Sequence, residues 1–181
     1  MKIFITGGAK NGKSGLAQQL ALKLAGDGPH YYVATMIPSD GEDRDRIARH
    51  LKDREGMGFE TIECGRNIDT CLQNADCSGT FLLDSVTALM LNELFPDPTD
   101  CRMDPEAPDR CRLQLESFLR RTENAVIVSD FIYSDGGRYD DVTRTYRQGL
   151  AGLDRMLAQN CDTVIEVCAG NWIVHKGRLP Q

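Results

Sequence analysis

Short runs of apolar, mostly β-branched residues alternate along the chain with segments in which apolar residues recur every three or four positions. The runs predict six strands, at Lys2–Thr6, Tyr31–Thr35, Phe59–Glu63, Thr80–Ser85, Ala125–Asp130 and Thr163–Ala169. Strands that alternate with helices form βαβ units, whose right-handed crossovers build a mainly parallel sheet. The pattern therefore predicts an α/β fold with helices on both faces of a central sheet.

The periodic segments predict the helices between these strands. The first contains an apolar stripe of Leu16, Leu20 and Leu24 and is expected to end at Gly26. The others are expected at Asp43–Arg54, Asn67–Ala75, Val86–Phe95, Arg110–Arg121 and Asp141–Gln159. Residues 96–109 contain four prolines and four aspartates, which predicts an exposed loop. Since strand signals continue after this loop, residues 1–181 are expected to form a single domain.

Composition and charge narrow the classes of function. The net charge of −6 argues against broad nucleic-acid binding, which depends on clustered Lys and Arg. No apolar run approaches the roughly 18–20 residues needed to span a bilayer, and the N-terminus does not resemble a signal peptide. A cytoplasmic protein without a membrane span is therefore expected. The seven cysteines lack zinc-site spacing and are interpreted as free thiols, with Cys101 and Cys111 partly exposed.

Residues 7–14 match the phosphate-binding pattern G-x-x-x-x-G-K-S between a predicted strand and a predicted helix. They are Gly7, Gly8, Ala9, Lys10, Asn11, Gly12, Lys13 and Ser14. Glycines let the backbone approach a phosphate closely, at the positive end of the helix dipole. Lys13 is expected to contact the β- and γ-phosphates, and Ser14 to bind Mg²⁺. A glycine-rich turn that carries Lys and Ser by chance is the disfavoured alternative, so a three-layer P-loop fold of the RecA/kinase-like type is expected.

A carboxylate is expected near this loop, because P-loop enzymes hold their metal with an acidic group at the end of a neighbouring strand. Asp84 ends the apolar run Phe81–Leu83 and is the candidate, as a direct Mg²⁺ ligand or through water. The alternative is that Asp84 only caps the helix that begins near Val86.

The second predicted helix carries another candidate site. Ile47 and Leu51 lie one turn apart and are expected to be buried, whereas Arg46, His50 and Arg54 share another face at i, i+4 spacing. A neutral imidazole is a nucleophile toward phosphorus, and arginines can neutralise charge that builds on a phosphate. On this chemistry alone, a solvated helix face with an incidental histidine is the favoured interpretation.

Several further motifs follow the P-loop in a fixed order. They are Tyr32-Val33-Ala34-Thr35, Arg46-Ile47-Ala48-Arg49-His50 followed by Arg54, Phe59, Thr61 and Glu63, then Leu82-Leu83-Asp84-Ser85, Asn92-Glu93-Leu94-Phe95 and the closing Ala169-Gly170 and Lys176-Gly177. Together they resemble the motifs of the bifunctional adenosylcobinamide kinase / adenosylcobinamide-phosphate guanylyltransferase family. One segment departs from the family pattern, because Ser129-Asp130-Phe131 follows Val128 where the family usually has an Asn-Glu pair.

The resemblance implies two activities on one P-loop domain. The first phosphorylates the aminopropanol hydroxyl of adenosylcobinamide with ATP or GTP. The second transfers GMP from GTP to that phosphate through a guanylyl-histidine, which by motif position is His50. The other expected catalytic residue is Lys13 of the P-loop. Further nucleotide contacts are implied at Ala34, Thr35, Met36, Leu51, Lys52, Asp53, Arg54, Glu63 and Asp84. The resemblance also implies a homo-oligomer, a trimer.

The altered segment after Val128 leaves one alternative open. It suggests a divergent P-loop small-molecule kinase that lacks the guanylyltransferase step. A regulatory GTP-binding switch is disfavoured, because the base-reading motif N-K-x-D is absent from the sequence.

Overall fold

The computed structural model describes residues 1–39, 41–97, 99–100 and 102–180, without the side chains of Glu42 and Arg46. Within these residues the strands are β1 (Lys2–Gly7), β2 (His30–Ala34), β3 (Glu60–Glu63), β4 (Thr80–Asp84), β5 (Asn124–Val128), β6 (Thr163–Cys168) and β7 (Asn171–Lys176). The α-helices are α1 (Lys13–Ala25), α2 (Gly41–Asp53), α3 (Val86–Leu94), α4 (Ala107–Arg121) and α5 (Asp141–Asn160), with a short 3₁₀ helix at Ile68–Leu72.

The strands form one sheet in the order β3-β2-β4-β5-β1-β6-β7. The pairs within β1 to β6 are all parallel, and only β7 runs antiparallel, against β6. In the register of the sheet, Val128 on β5 lies opposite both Ile5 on β1 and Asp84 on β4. The carboxyl ends of β1, β5 and β4 therefore meet at one edge, where ligands of open α/β sheets bind.

Successive side chains along each strand point to opposite faces of the sheet and so divide the core into two layers. Phe4 points toward a cluster built with α3, α4 and α5, which includes Phe81 and Phe118. Its neighbours Ile3 and Ile5 point to the opposite face, where α1 packs. The helices thus cover both faces of the sheet, which gives the predicted three-layer arrangement.

Three secondary-structure predictions need correction. The segment 67–75 forms only the 3₁₀ helix Ile68–Leu72, because Asp76 next to it accepts hydrogen bonds from Ser78 and closes a turn instead. Helix α4 begins at Ala107 instead of residue 110, with Pro108 in its first turn, where a missing N–H costs little. Strand β7 was not predicted, although Trp172, Ile173 and Val174 provide a short apolar signal for it.

Two burial predictions are also wrong. Leu51 is 52% exposed, because the face of α2 that carries it covers an open cleft instead of the core. Cys111, on α4, is fully buried in the core cluster that includes Phe81 and Phe118, although its sequence neighbours are polar. The six cysteines that the structure describes are free thiols, as predicted. The predictions for Cys101, Pro98 and the Arg46 side chain lie outside the described residues.

Candidate active site

The P-loop connects the end of β1 to the start of α1, at the centre of the sheet. Gly7 has φ +151°, and a Cβ atom on it would lie 2.2 Å from the carbonyl oxygen of Val167 on β6. Gly12, directly before α1, has φ +92°. Both positions require glycine, because an L side chain is strained there or has no room. The absence of a side chain on Gly7 thus lets the start of the loop lie against the backbone of β6.

Lys13 is buried beneath this loop, with 5% of its surface exposed. Its ammonium group donates hydrogen bonds to the carbonyl oxygens of Gly7 at 3.0 Å and Gly8 at 2.7 Å. It also forms an ion pair of 2.7 Å with the carboxylate of Asp130, directly beyond β5. An ammonium group has three protons, so these three contacts use its full donor capacity.

A cleft of about 470 Å³ lies above the P-loop. Its floor is the loop and the ends of β4 and β5, and its wall is one face of α2. The lining residues outside the loop are Asp43, Arg49, His50, Asp53, Asp84, Ser85, Val128 and Asp130. Ser14 and Asp84, the predicted metal-binding pair, therefore border the same space. No group of three or more acidic, His or Cys side chains that could hold a metal occurs among the described residues.

A second cleft of about 440 Å³ lies on the other side of α2, over the ends of β2, β3 and β4. Its lining includes Tyr32, Ala34, Met36, Arg44, Leu51, Arg54 and Glu63. His50, Asp84 and Ser85 line both clefts. His50 therefore lies at the boundary between the phosphate-binding cleft and a more apolar neighbouring space.

Arg54 is the most unusual side chain of the second cleft. It is 7% exposed, and its guanidinium carbon lies 3.5 Å from the centroid of the Tyr32 ring, a favourable cation–π arrangement. Tyr32 in turn donates a hydrogen bond of 3.0 Å to the Asp84 carboxylate. Within the described part of the chain, the buried Nη1 of Arg54 has no hydrogen-bond partner. Since a buried charged donor without a partner is costly, this atom is suited to an oxygen of a bound ligand.

A hydrogen-bond network holds the floor of this cleft together. The Thr35 hydroxyl accepts from the Ser85 N–H at 2.7 Å and donates to the Ser85 carbonyl oxygen at 2.8 Å. The Asn92 side-chain amide donates to the carbonyl oxygens of Thr35 and Gly65. These bonds connect the ends of β2, β3 and β4, so that the cleft floor is rigid before any ligand binds.

The family model described as cobinamide kinase / cobinamide phosphate guanyltransferase matches residues 3–174. The chain belongs to this family. It is 29% identical to the bifunctional adenosylcobalamin biosynthesis protein CobU of Salmonella typhimurium, over 94% of this chain and 97% of that protein. It is 30% identical to the bifunctional adenosylcobalamin biosynthesis protein CobP of Pseudomonas aeruginosa, over 94% of each chain. The predicted resemblance is thus confirmed over nearly the whole chain.

Solved structures confirm the P-loop α/β fold of this cobinamide kinase / guanyltransferase family member. The flagellar accessory protein FlaH of Methanocaldococcus jannaschii matches 98% of this chain and 78% of its own, with a TM-score of 0.51 and 13% identity. A KaiC-like protein of Pyrococcus horikoshii OT3 matches 98% of this chain and 79% of its own, with a TM-score of 0.53 and 14% identity. No helix in the described residues of the chain is long and apolar enough to cross a membrane.

In this member of the family, most residues named from the sequence line one of the two clefts. The P-loop residues Ala9 to Ser14, with His50, Asp53 and Asp84, line the first, and Ala34, Met36, Leu51, Arg54 and Glu63 line the second. Gly7, Gly8 and Lys52 line neither cleft, and Thr35 is fully buried beneath the floor. Tyr32, Arg44 and Asp130 were not predicted as site residues, although Asp130, like Asp84, lies at the carboxyl end of a predicted strand.

The segment that follows β5 is supported from behind by a buried carboxylate. Asp154 on α5 is 3% exposed and accepts a hydrogen bond of 2.9 Å from the Tyr133 hydroxyl. Burial raises the pKa of Asp154 to about 6, since the ionised form loses its hydration, and the nearby Asp130 charge acts in the same direction. Burial beside Asp154 also raises the pKa of Tyr133.

This shift predicts a pH-dependent stability. Because the folded-state pKa of Asp154 lies above its ordinary value of 3.8, its ionisation disfavours folding, and stability is lost as the pH rises through about 6. Asp154→Asn cannot ionise but can still accept the Tyr133 hydrogen bond. At pH 8 the variant should have a free energy of unfolding higher than wild type by up to roughly 3 kcal/mol, and the difference should shrink toward pH 4.5.

Urea denaturation of both proteins at pH 4.5 and pH 8 measures this difference. Asp141→Asn, which changes an exposed carboxylate on the same helix, is the matched control and should show no such pH-dependent gain. A difference between Asp154→Asn and wild type that is equal at the two pH values would contradict the assignment.

Proposed function

We propose that the chain phosphorylates the aminopropanol hydroxyl of adenosylcobinamide with a nucleoside triphosphate and then transfers GMP from GTP to that phosphate through a covalent adduct on His50. The observation that carries the proposal is the position of His50, which lines both the P-loop cleft and the second cleft. A nucleophile at this boundary can reach a nucleotide whose phosphates lie on the P-loop.

The kinase step is assigned to the P-loop cleft. The loop amides and Lys13 bind the β- and γ-phosphates. To reach these phosphates, Lys13 gives up its contacts with the Gly7 and Gly8 carbonyl oxygens. Ser14 and Asp84 are the candidate protein ligands of Mg²⁺. Two such ligands are enough, because a nucleotide-bound Mg²⁺ takes most of its ligands from phosphates and water. Such an ion, when bound, neutralises phosphate charge. ATP and GTP are both proposed as phosphoryl donors.

The guanylyltransferase step is assigned to His50. Its imidazole nitrogen forms a bond to the α-phosphorus of GTP while the bond from that phosphorus to the bridging oxygen breaks, and pyrophosphate leaves. An oxygen of adenosylcobinamide phosphate then attacks the same phosphorus and releases the histidine. Arg49 in the first cleft and Arg54 in the second supply positive charge on either side of His50.

The second cleft is proposed to hold the guanosine part of GTP during this step. The unpartnered Nη1 of Arg54 can donate to a guanine or ribose oxygen, and the exposed carboxylate of Glu63 can accept from the N–H groups of a guanine edge. Adenine lacks the N1–H and the amino group at the same position, so these contacts favour GTP. Residues 1–181 are proposed to act as a single domain, and the resemblance supports assembly as a trimer.

Turnover with labelled GTP tests the proposal. Wild-type protein is incubated with Mg²⁺, adenosylcobinamide and GTP labelled at the γ-phosphate or at the α-phosphate. We expect γ-label in adenosylcobinamide phosphate, and α-label first as an acid-labile adduct on the protein and then in the corrinoid product. Phosphorylation without any α-label on protein would instead support a plain small-molecule kinase. Failure to phosphorylate adenosylcobinamide by folded, nucleotide-binding protein would contradict the proposal.

A further inference from the structure

Asp130 has no role in the steps above, although it lines the P-loop cleft. It follows the last residue of β5, the strand that pairs with β1. Its carboxylate is 2.7 Å from the Lys13 ammonium group and is 19% exposed, toward the cleft. Since Lys13 is the residue that meets the γ-phosphate, Asp130 lies within a few ångströms of the place where the phosphoryl group is transferred.

The backbone around Asp130 is fixed to neighbouring elements. The N–H of Asp130 donates to the Thr87 hydroxyl on α3 at 2.8 Å. On either side, the N–H of Ser129 donates to the Ile5 carbonyl oxygen at 3.0 Å and that of Phe131 to the Gly7 carbonyl oxygen at 2.9 Å. Three backbone N–H groups thus fix the segment beside the P-loop, and the ion pair with Lys13 orients the carboxylate, a degree of preorganisation that catalytic groups require.

The other carboxylates that line this cleft are engaged differently. Asp84 accepts a hydrogen bond from Tyr32 and is the metal candidate. Asp43 accepts hydrogen bonds from Ser39 near the start of α2, and Asp53 is exposed at the end of that helix. Among the described residues of the cleft, Asp130 alone places a carboxylate against Lys13.

We propose that Asp130 is the catalytic base of the kinase step, an inference that rests on the proposed function. The acceptor hydroxyl gives its proton to the Asp130 carboxylate as its oxygen forms a bond to the γ-phosphorus. The bond from that phosphorus to the β,γ-bridging oxygen breaks, and the nucleoside diphosphate leaves with the electron pair. The proton passes from Asp130 to solvent after the phosphorylated acceptor departs. General-base assistance of this kind contributes about 10²–10⁴-fold to a rate.

Asp130→Asn tests this role, because asparagine has nearly the same shape and can still accept a hydrogen bond from Lys13 but cannot take up a proton. We expect kcat for adenosylcobinamide phosphorylation to fall by about 10²–10⁴-fold. The KM for the nucleotide should stay within about threefold of wild type. The acid-labile α-label on protein should form as in wild type. Asp135→Asn is the matched control, since Asp135 lies in the same segment and pairs with Arg147 outside the cleft.

Three results would overturn the inference. The first is a kcat of Asp130→Asn close to that of wild type. The second is a loss of the α-label on protein together with the loss of kinase activity. The third is a full recovery of kcat at raised Mg²⁺, which would indicate that Asp130 is a metal ligand. Failure of the proposed function gives a different result, because wild-type protein itself then makes no phosphorylated corrinoid. Asp130→Glu, which keeps a carboxylate, should recover part of the lost rate, and formation of the α-label by Asp130→Asn shows that this variant is folded.

Discussion

Lys13→Ala is expected to lower kcat for phosphorylation of adenosylcobinamide by about 10²–10³-fold, the usual loss when one preorganised charge at a reacting group is removed. The ammonium group is buried and fully coordinated in the structure, by the Gly7 and Gly8 carbonyl oxygens and by Asp130. The ammonium group is therefore already held at the loop before the nucleotide binds, and it exchanges the two carbonyl oxygens for phosphate oxygens. No other described lysine or arginine side chain contacts the loop carbonyl oxygens that Lys13 occupies.

The same substitution also leaves Asp130 without its ion pair, in a site that is only 19% exposed. The affinity for nucleotide should fall as well, because an unpaired carboxylate repels the triphosphate. The double variant Lys13→Ala/Asp130→Asn removes this repulsion and should recover part of the lost affinity for nucleotide but not kcat. Steady-state kinetics and nucleotide titrations measure the two quantities. Lys23→Ala, at an exposed position of α1, is the control, and equal losses in it would show that the effect is not specific to the site.

His50→Ala is expected to abolish the covalent α-label and to lower GMP transfer by about 10⁴–10⁶-fold, as removal of a nucleophile does in other enzymes. Phosphorylation of adenosylcobinamide should continue within about threefold of wild type, because the proposed kinase step depends on Lys13, the loop amides and Asp130 and not on His50. Since neither core cluster includes a described residue of α2, the substitution should leave the fold intact. His50 is half-buried between the clefts, so its loss creates no core cavity.

The two activities are measured separately on one preparation, with γ-label for the kinase and α-label for the transferase. His175→Ala is the matched control, since His175 lies on the edge strand β7 beside Glu166 and far from both clefts. Retention of the acid-labile adduct in His50→Ala would contradict the assignment of the nucleophile. Loss of both activities with retained folding would show that His50 serves the kinase step too.

Much of the fold could be predicted because its signals are local. The alternation of β-branched runs with helical periodicity, together with right-handed crossovers, specifies a parallel sheet before any contact is known. Gly7 and Gly12 mark the P-loop, because their backbone angles exclude other residues. Strand β7 was missed, since a short exposed edge strand has no alternation that separates it from a loop.

The sequence alone determined the P-loop, the positions of the six strands β1 to β6 along the chain and the family. Only the tertiary structure decided which side chains meet. The ion pair of Lys13 with Asp130 joins residues 117 positions apart, and its formation depends on β5 lying next to β1. Likewise Leu51 lies on an apolar position of an amphipathic helix but lines a cleft, because burial depends on whether another element covers a helix face. Local patterns indicate which secondary structure each segment favours. A functional site is formed by contacts between distant segments, and tertiary packing determines those contacts.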